Sequence, residues 1–135
     1  MVALRSSSAL PDSGERFGVG TVLLKPATND PPIVKVDGDL DAHEARAFGK
    51  AARRVMRGKG RQAIIDLRDC TYIDSAGLGV LFSLVSWARK NGGKVAAVGP
   101  RSRVLHVLRL VRLTDERGFQ VFADLDSAQA FMSCE

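Results

Sequence analysis

The chain is poor in the residues from which covalent, metal-held or catalytic frameworks are built. Two cysteines, Cys70 and Cys134, and two histidines, His43 and His106, are all it has of these types. Neither pair falls at a ligand spacing, so no disulfide framework and no metal site are expected. Both thiols read as reduced, with Cys70 a small core residue. Aromatic residues make up only 6% of the chain, too few to interleave with the basic ones as a nucleic-acid surface requires. No apolar run approaches the roughly 18 residues of a membrane helix. Met1 is not followed by a charged-then-apolar leader, so a cytoplasmic chain is expected. There is no phosphate loop of the G-x-x-x-x-G-K-[ST] kind. Gly18-Val19-Gly20 lacks the third glycine of a dinucleotide fingerprint and precedes a strand. Ser75 is not in a G-x-S-x-G elbow. No nucleophile, base and orienting group can be assembled, and neither an enzyme nor a cofactor is expected.

What remains is an ordinary globular mixture. The 135 residues are 45% apolar and 26% charged, enough for one domain with its own core. The net charge of +5 suits an acidic partner or a weak affinity for nucleic acid. The cations, however, are spread over Arg53, Arg54, Arg57, Lys59 and Arg61 and then Arg101, Arg103, Arg109 and Arg112. Solvated helix faces and helix C-termini account for most such residues. No direct nucleic-acid contact is expected.

Residues 1–16 are rich in Ser, Gly and Pro without periodicity and read as a flexible tail. Gly20–Lys25 and Ile33–Asp37 read as an antiparallel strand pair joined by a proline-rich turn and closed by Gly38. Asp41 followed by Glu44 resembles a capping box. Ala45, Phe48, Ala52, Val55 and Met56 then recur at helical spacing. Ala63–Leu67 suits a strand buried on both faces, and Arg68–Ile73 reads as a loop. A helix carries Leu78, Leu81, Phe82, Val85 and Ala88 on one face and stops at Asn91-Gly92-Gly93. Lys94–Val98 is a further strand, Arg101–Leu113 a helix, Phe119–Phe122 the last strand and Asp124–Met132 the last helix. The order β-β-α-β-α-β-α-β-α predicts an α/β domain with a mixed, mostly parallel sheet. If strands are added outward in one direction, right-handed crossovers put the helices mainly on one face.

One constellation stands out. Asp74 and Ser75 lie between apolar Ile73 and an apolar helix, where either could cap the helix start. Gly77 and Gly79 are not explained by capping, because each costs a helix about 1 kcal/mol relative to Ala. They imply a close approach to the backbone. A phosphate on Ser75 would be tolerated at a helix N-terminus and felt by whatever docks there.

These residues resemble the STAS domains, specifically the anti-sigma factor antagonists. The likeness rests on Asp66-Leu67 through Ile73-Asp74-Ser75-Ala76-Gly77-Leu78-Gly79. Gly38-Asp39-Leu40-Asp41, Asn91-Gly92-Gly93, Val95–Pro100 and Leu108–Phe122 extend it in the same order. The resemblance implies a STAS domain over 17–135 and a partner switch. An unphosphorylated antagonist binds an anti-sigma factor that is also an ATP-dependent serine kinase, and so frees the sigma factor. Phosphorylation releases it, and a PP2C-type phosphatase resets it. Carried over, Ser75 is the phosphoacceptor, and Asp41, Asp74, Ser75, Ala76, Gly77, Leu78 and Gly79 form the partner-binding patch. Ala76 stands where many members have a second hydroxyl, and Arg112 where the family often has Gly. The proline-rich turn and the tail are untypical. Two other kinds of role stay open: a STAS subunit of a lipid-transport ATPase or a stress-signalling scaffold, and an enzyme or small-ligand binder using the carboxyl edge of the sheet.

Overall fold

A computed structural model describes residues 14–16, 21–24, 31–57 and 60–133. Six strands form one sheet in sequential order: β1 (Gly14–Arg16), β2 (Thr21–Leu24), β3 (Ile33–Leu40), β4 (Ala63–Ile73), β5 (Val95–Val98) and β6 (Phe119–Phe122). The helices are α1 (Ala42–Arg57), α2 (Ser75–Lys90), α3 (Ser102–Leu110) and α4 (Leu125–Ser133). β1, β2 and β3 are antiparallel neighbours, and β3 to β6 run parallel. The mixed, mostly parallel sheet expected from the alternation is the one found. Gly14–Arg16, which composition alone placed in the tail, pairs with β2. Backbone pairing extends the sheet there without any side-chain periodicity to announce it. Residues 1–13 of the expected tail lie outside the described residues.

Because the sheet grows in one direction, the three crossovers α1, α2 and α3 share a face. Their buried side chains, among them Phe48, Met56, Leu81, Leu84 and Leu108, pack on Val34, Val36, Ile65, Leu67, Val95 and Ala97. Alternation sends Ile33, Ile64, Ala96 and Val98 to the opposite face, where α4 covers them with Ala128 and Met132. Helices therefore lie mainly on one face, with α4 alone on the other.

Two boundaries differ from the sequence reading. Arg68–Ile73 is not a loop but the second half of β4. It pairs with the end of β3, from Asp37 opposite Asp69 to Leu40 opposite Ile73. The register shifts twice along this stretch, which breaks the alternation that would have marked it as strand. β3 likewise runs through Gly38, whose φ of +101° suits glycine at the irregularity. The third helix ends at Leu110, three residues short of the expected Leu113. Arg112 then takes the left-handed conformation, φ 64°, before a 3-10 turn at Leu113–Asp115. A glycine would sit there without strain; Arg112 instead donates from Nε to Asp115 Oδ2 at 3.1 Å.

Cys70 is buried, as expected, and burial pushes its thiol pKa up. Less expected is a buried charge cluster on the α4 face of the sheet. Lys35 is 1% exposed and Asp66 0%. The Lys35 ammonium lies 2.6 Å from Asp69 and 3.9 Å from Asp66. Asp66 also accepts from Arg68 Nε and Nη2 at 3.0 and 2.8 Å. This bonding raises the Arg68 pKa, against the opposing effect of partial burial. Removing one partner of such a pair leaves an uncompensated charge in the interior. Asp66→Ala is accordingly expected to cost about 3 kcal/mol, read as a lower urea midpoint. An unchanged midpoint would show that Asp69 alone suffices for Lys35.

Candidate functional site

The site is built where β3 and β4 end side by side and each hands over to a helix. Asp41 caps α1: its Oδ1 accepts from the backbone N–H of His43 at 3.0 Å and of Glu44 at 3.1 Å. The capping box is only half formed. Glu44 does not reach back; its Oε2 lies 3.9 Å from His43 Nε2, and its Oε1 is buried without a hydrogen bond.

Asp74 caps α2. Its Oδ1 accepts from the N–H groups of Ala76 at 2.9 Å and Gly77 at 3.0 Å. Its Oδ2 accepts from Ala42 N–H, the first residue of α1, at 3.2 Å. Its own N–H donates to the Leu40 carbonyl at 3.3 Å. One carboxylate thus satisfies orphan donors of two helices and ties their starts together.

This settles which residue caps. Asp74 does, and Ser75 is the first residue of α2, exposed, with a hydroxyl that makes no hydrogen bond among the described residues. The side chain sits at the positive end of a 16-residue helix. The nearest backbone donors, at Ala76 and Gly77, are already taken by Asp74.

The two glycines have different reasons. Gly77 is buried against the end of β3. A Cβ there would collide with the Leu40 carbonyl oxygen and stand 2.9 Å from Ile73 Cγ1. The close approach inferred from sequence is real, and the approaching group is the chain's own backbone. Gly79 is exposed, and a Cβ on it would meet nothing within 4 Å. Nothing inside the chain requires that glycine. Leu78 and Ala76 are half-buried, Leu78 packing on the core.

Several neighbours were not singled out from sequence. Asp39 is exposed and accepts from Thr71 Oγ1 at 2.8 Å. With Asp41 and Asp74 it lies on the end of β3 and the turns beyond the two strands. Tyr72, 49% exposed, and Ile73 line a shallow cleft with Arg103, Val104 and Val107 of α3. The β3–β4 pairing brings these together, and the pairing was hidden by its irregular register. No group of three or more potential metal ligands occurs among the described residues. No helix among them is long and apolar enough to cross a membrane.

Comparison with known proteins agrees with this architecture. The family model for the STAS domain matches residues 23–128, and the chain belongs to that family. Its structure is similar to an anti-sigma factor antagonist from Mycobacterium paratuberculosis. That match has 25% identity and a TM-score of 0.68 over 94% of this chain and 100% of the other. TM1081 of Thermotoga maritima, described as a candidate anti-sigma factor antagonist, is 26% identical. Its TM-score is 0.66 over 76% of this chain and 88% of the other. The phosphorylated Bacillus cell fate determinant SpoIIAA shares the fold at 16% identity. Its TM-score is 0.63 over 80% of this chain and 95% of the other.

Two outcomes check the geometry. Gly77→Ala is expected to lose about 2 kcal/mol by overpacking against Leu40. Gly79→Ala, free of any clash, is expected to gain up to about 1 kcal/mol in helix propensity. Thermal melts that rank the two the other way would contradict the assigned reasons. Asp74→Ala is expected to lose about 2 kcal/mol, since it uncaps α2 and frees Ala42. Asp74→Asn, which keeps an acceptor oxygen, should lose less, as read from the same melts.

Proposed function

We propose that this chain is a non-enzymatic anti-sigma factor antagonist whose switch is Ser75. In its unphosphorylated form it binds an anti-sigma factor serine kinase in the cytoplasm and so frees a sigma factor. ATP-dependent phosphorylation of Ser75 ends the contact, and a PP2C-type phosphatase restores it.

The observation that carries this reading is the division of labour between Asp74 and Ser75. Asp74 supplies the cap, so the neighbouring hydroxyl is exposed and unused. A modification there removes no hydrogen bond from the fold. The similarity to anti-sigma factor antagonists, one of them solved in a phosphorylated form, supports the choice of partner class.

The chemistry of the switch follows from the surroundings. A phosphate adds nearly two negative charges. The N–H groups of Ala76 and Gly77 are already held by Asp74, so they offer the phosphate no ready cradle. The carboxyl side chains of Asp41 and Asp74 sit close by. The new charge therefore faces outward and acts on the docked protein through repulsion and bulk. In this scheme Asp41, Asp74, Ala76, Leu78 and Gly79 form the docking patch around Ser75. Gly79 leaves room for the partner's backbone or side chains. Gly77 contributes from beneath by letting α2 start hard against Leu40.

Incubation with the partner kinase and ATP is expected to add one phosphate, located at Ser75 by mass spectrometry and absent from Ser75→Ala. Ser75→Ala should bind the kinase as unmodified protein does. Ser75→Asp should bind at least about tenfold more weakly, a difference of about 1.4 kcal/mol. Equal affinities for the two variants in a titration would remove the switch.

A further inference from the structure

The two helices that start together at Asp74 enclose a basic groove as they run on. From Ala45 to Gln62 every charged residue is Lys or Arg, and α2 contains no carboxylate at all. Helical spacing aligns Arg46, Lys50, Arg53 and Arg57 along one face of α1. Over these residues the row spans about 16 Å. Arg46, Lys50 and Arg53 line a cleft whose remaining walls are Ala45, Gly49, Val80 and Ser83. Gly49 lets the helices close up: a Cβ there would stand 3.1 Å from Val80 Cγ1. Arg53 donates from Nη2 to Ser83 Oγ, while its Nε is buried without a hydrogen bond.

None of Arg46, Lys50, Arg53 and Arg57 has an ion-pair partner among the described residues. Like charges at i,i+4, such as Arg46 and Lys50, work against the helix that carries them. The dipole explains basic residues in the last turn, Arg54 and Arg57, but not Arg46 and Lys50 near its start and middle. The groove floor is apolar and its rim is cationic, which is the complement of an amphipathic acidic segment. Nucleic acid fits less well. Trp87, on the same side of α2, already has the Arg61 guanidinium over its ring at 5.5 Å.

We propose that the α1–α2 groove is a second docking surface, which takes an acidic amphipathic segment of a protein partner. Carboxylates of that segment pair with Arg46, Lys50, Arg53 and Arg57, and its apolar side chains lie over Ala45, Gly49 and Val80. The surface lies further along the helix that Ser75 begins; it carries the opposite charge to the Asp39, Asp41 and Asp74 rim, and it does not depend on the state of Ser75.

The probe is a fluorescent helical peptide of about 14 residues, with Glu along one face and Leu on the other. Its control replaces every Glu with Gln. The full chain should bind the Glu peptide at least about tenfold more tightly than the Gln peptide, and less tightly as salt rises. The triple variant R46E/K50E/R57E changes only exposed side chains and should lose this preference, with its circular dichroism unchanged. R109E on α3 and Ser75→Asp should keep it. Equal binding of the two peptides, or full binding by the triple variant, would overturn the proposal. So would tighter, Arg46-dependent binding of oligothymidylate or of phosphatidylserine vesicles, which would assign the groove to nucleic acid or membrane.

Discussion

The Asp74 carboxylate is the contact on which the geometry of this site turns. Its two oxygens hold three backbone donors from two helices, and its own N–H is held by Leu40 at the end of the neighbouring strand. A helix start normally has to satisfy its orphan N–H groups with the side chain at its own N-cap. Here one N-cap residue also serves the preceding helix. The consequence for chemistry is negative in form but decisive: the serine that follows is left with nothing structural to do. An exposed hydroxyl is thus presented at a fixed place, on the first turn of a helix, without a structural task.

That contact exists because of the way the sheet is wound. Strands β3 to β6 are added in one direction, so α1 and α2 lie on one face and begin at the same edge. The pairing of Leu40 with Ile73 sets those two beginnings side by side. Gly77 then allows α2 to start within contact of the Leu40 carbonyl. The same parallel arrangement creates the groove between the helices further along. Sheet topology, helix capping and surface charge are therefore linked through a few residues at the ends of two strands.

Much of this was legible in the chain itself. Alternation of apolar runs with helical periodicity gave the order of the elements, and the Asp74-Ser75 pair before an apolar helix pointed to the candidate site. The end of β4 was not legible, because two register shifts destroy the period-2 pattern over Arg68–Ile73. The buried charge cluster was missed because charged residues at strand positions ordinarily face solvent; only the fold sets Lys35 against Asp69 and binds Asp66 to Arg68. Whether Asp74 or Ser75 capped the helix could not be decided from residue type, since both are good caps. The two glycines looked equivalent in sequence and proved opposite in cause, one answering to Leu40 and the other to open space.

Charge on Ser75 is predicted to change what the surface offers without changing what lies beneath it. The most direct measurement is a backbone amide spectrum of the chain carrying phosphoserine at position 75, compared with the unmodified protein. Shifts confined to the α1 start, the α2 start and the end of β4, with an unaltered melting temperature, are the predicted result. Shifts spreading through Val34, Ile65 and Ala97, or a loss of the Asp74-bound amides of Ala42 and Gly77, would contradict it.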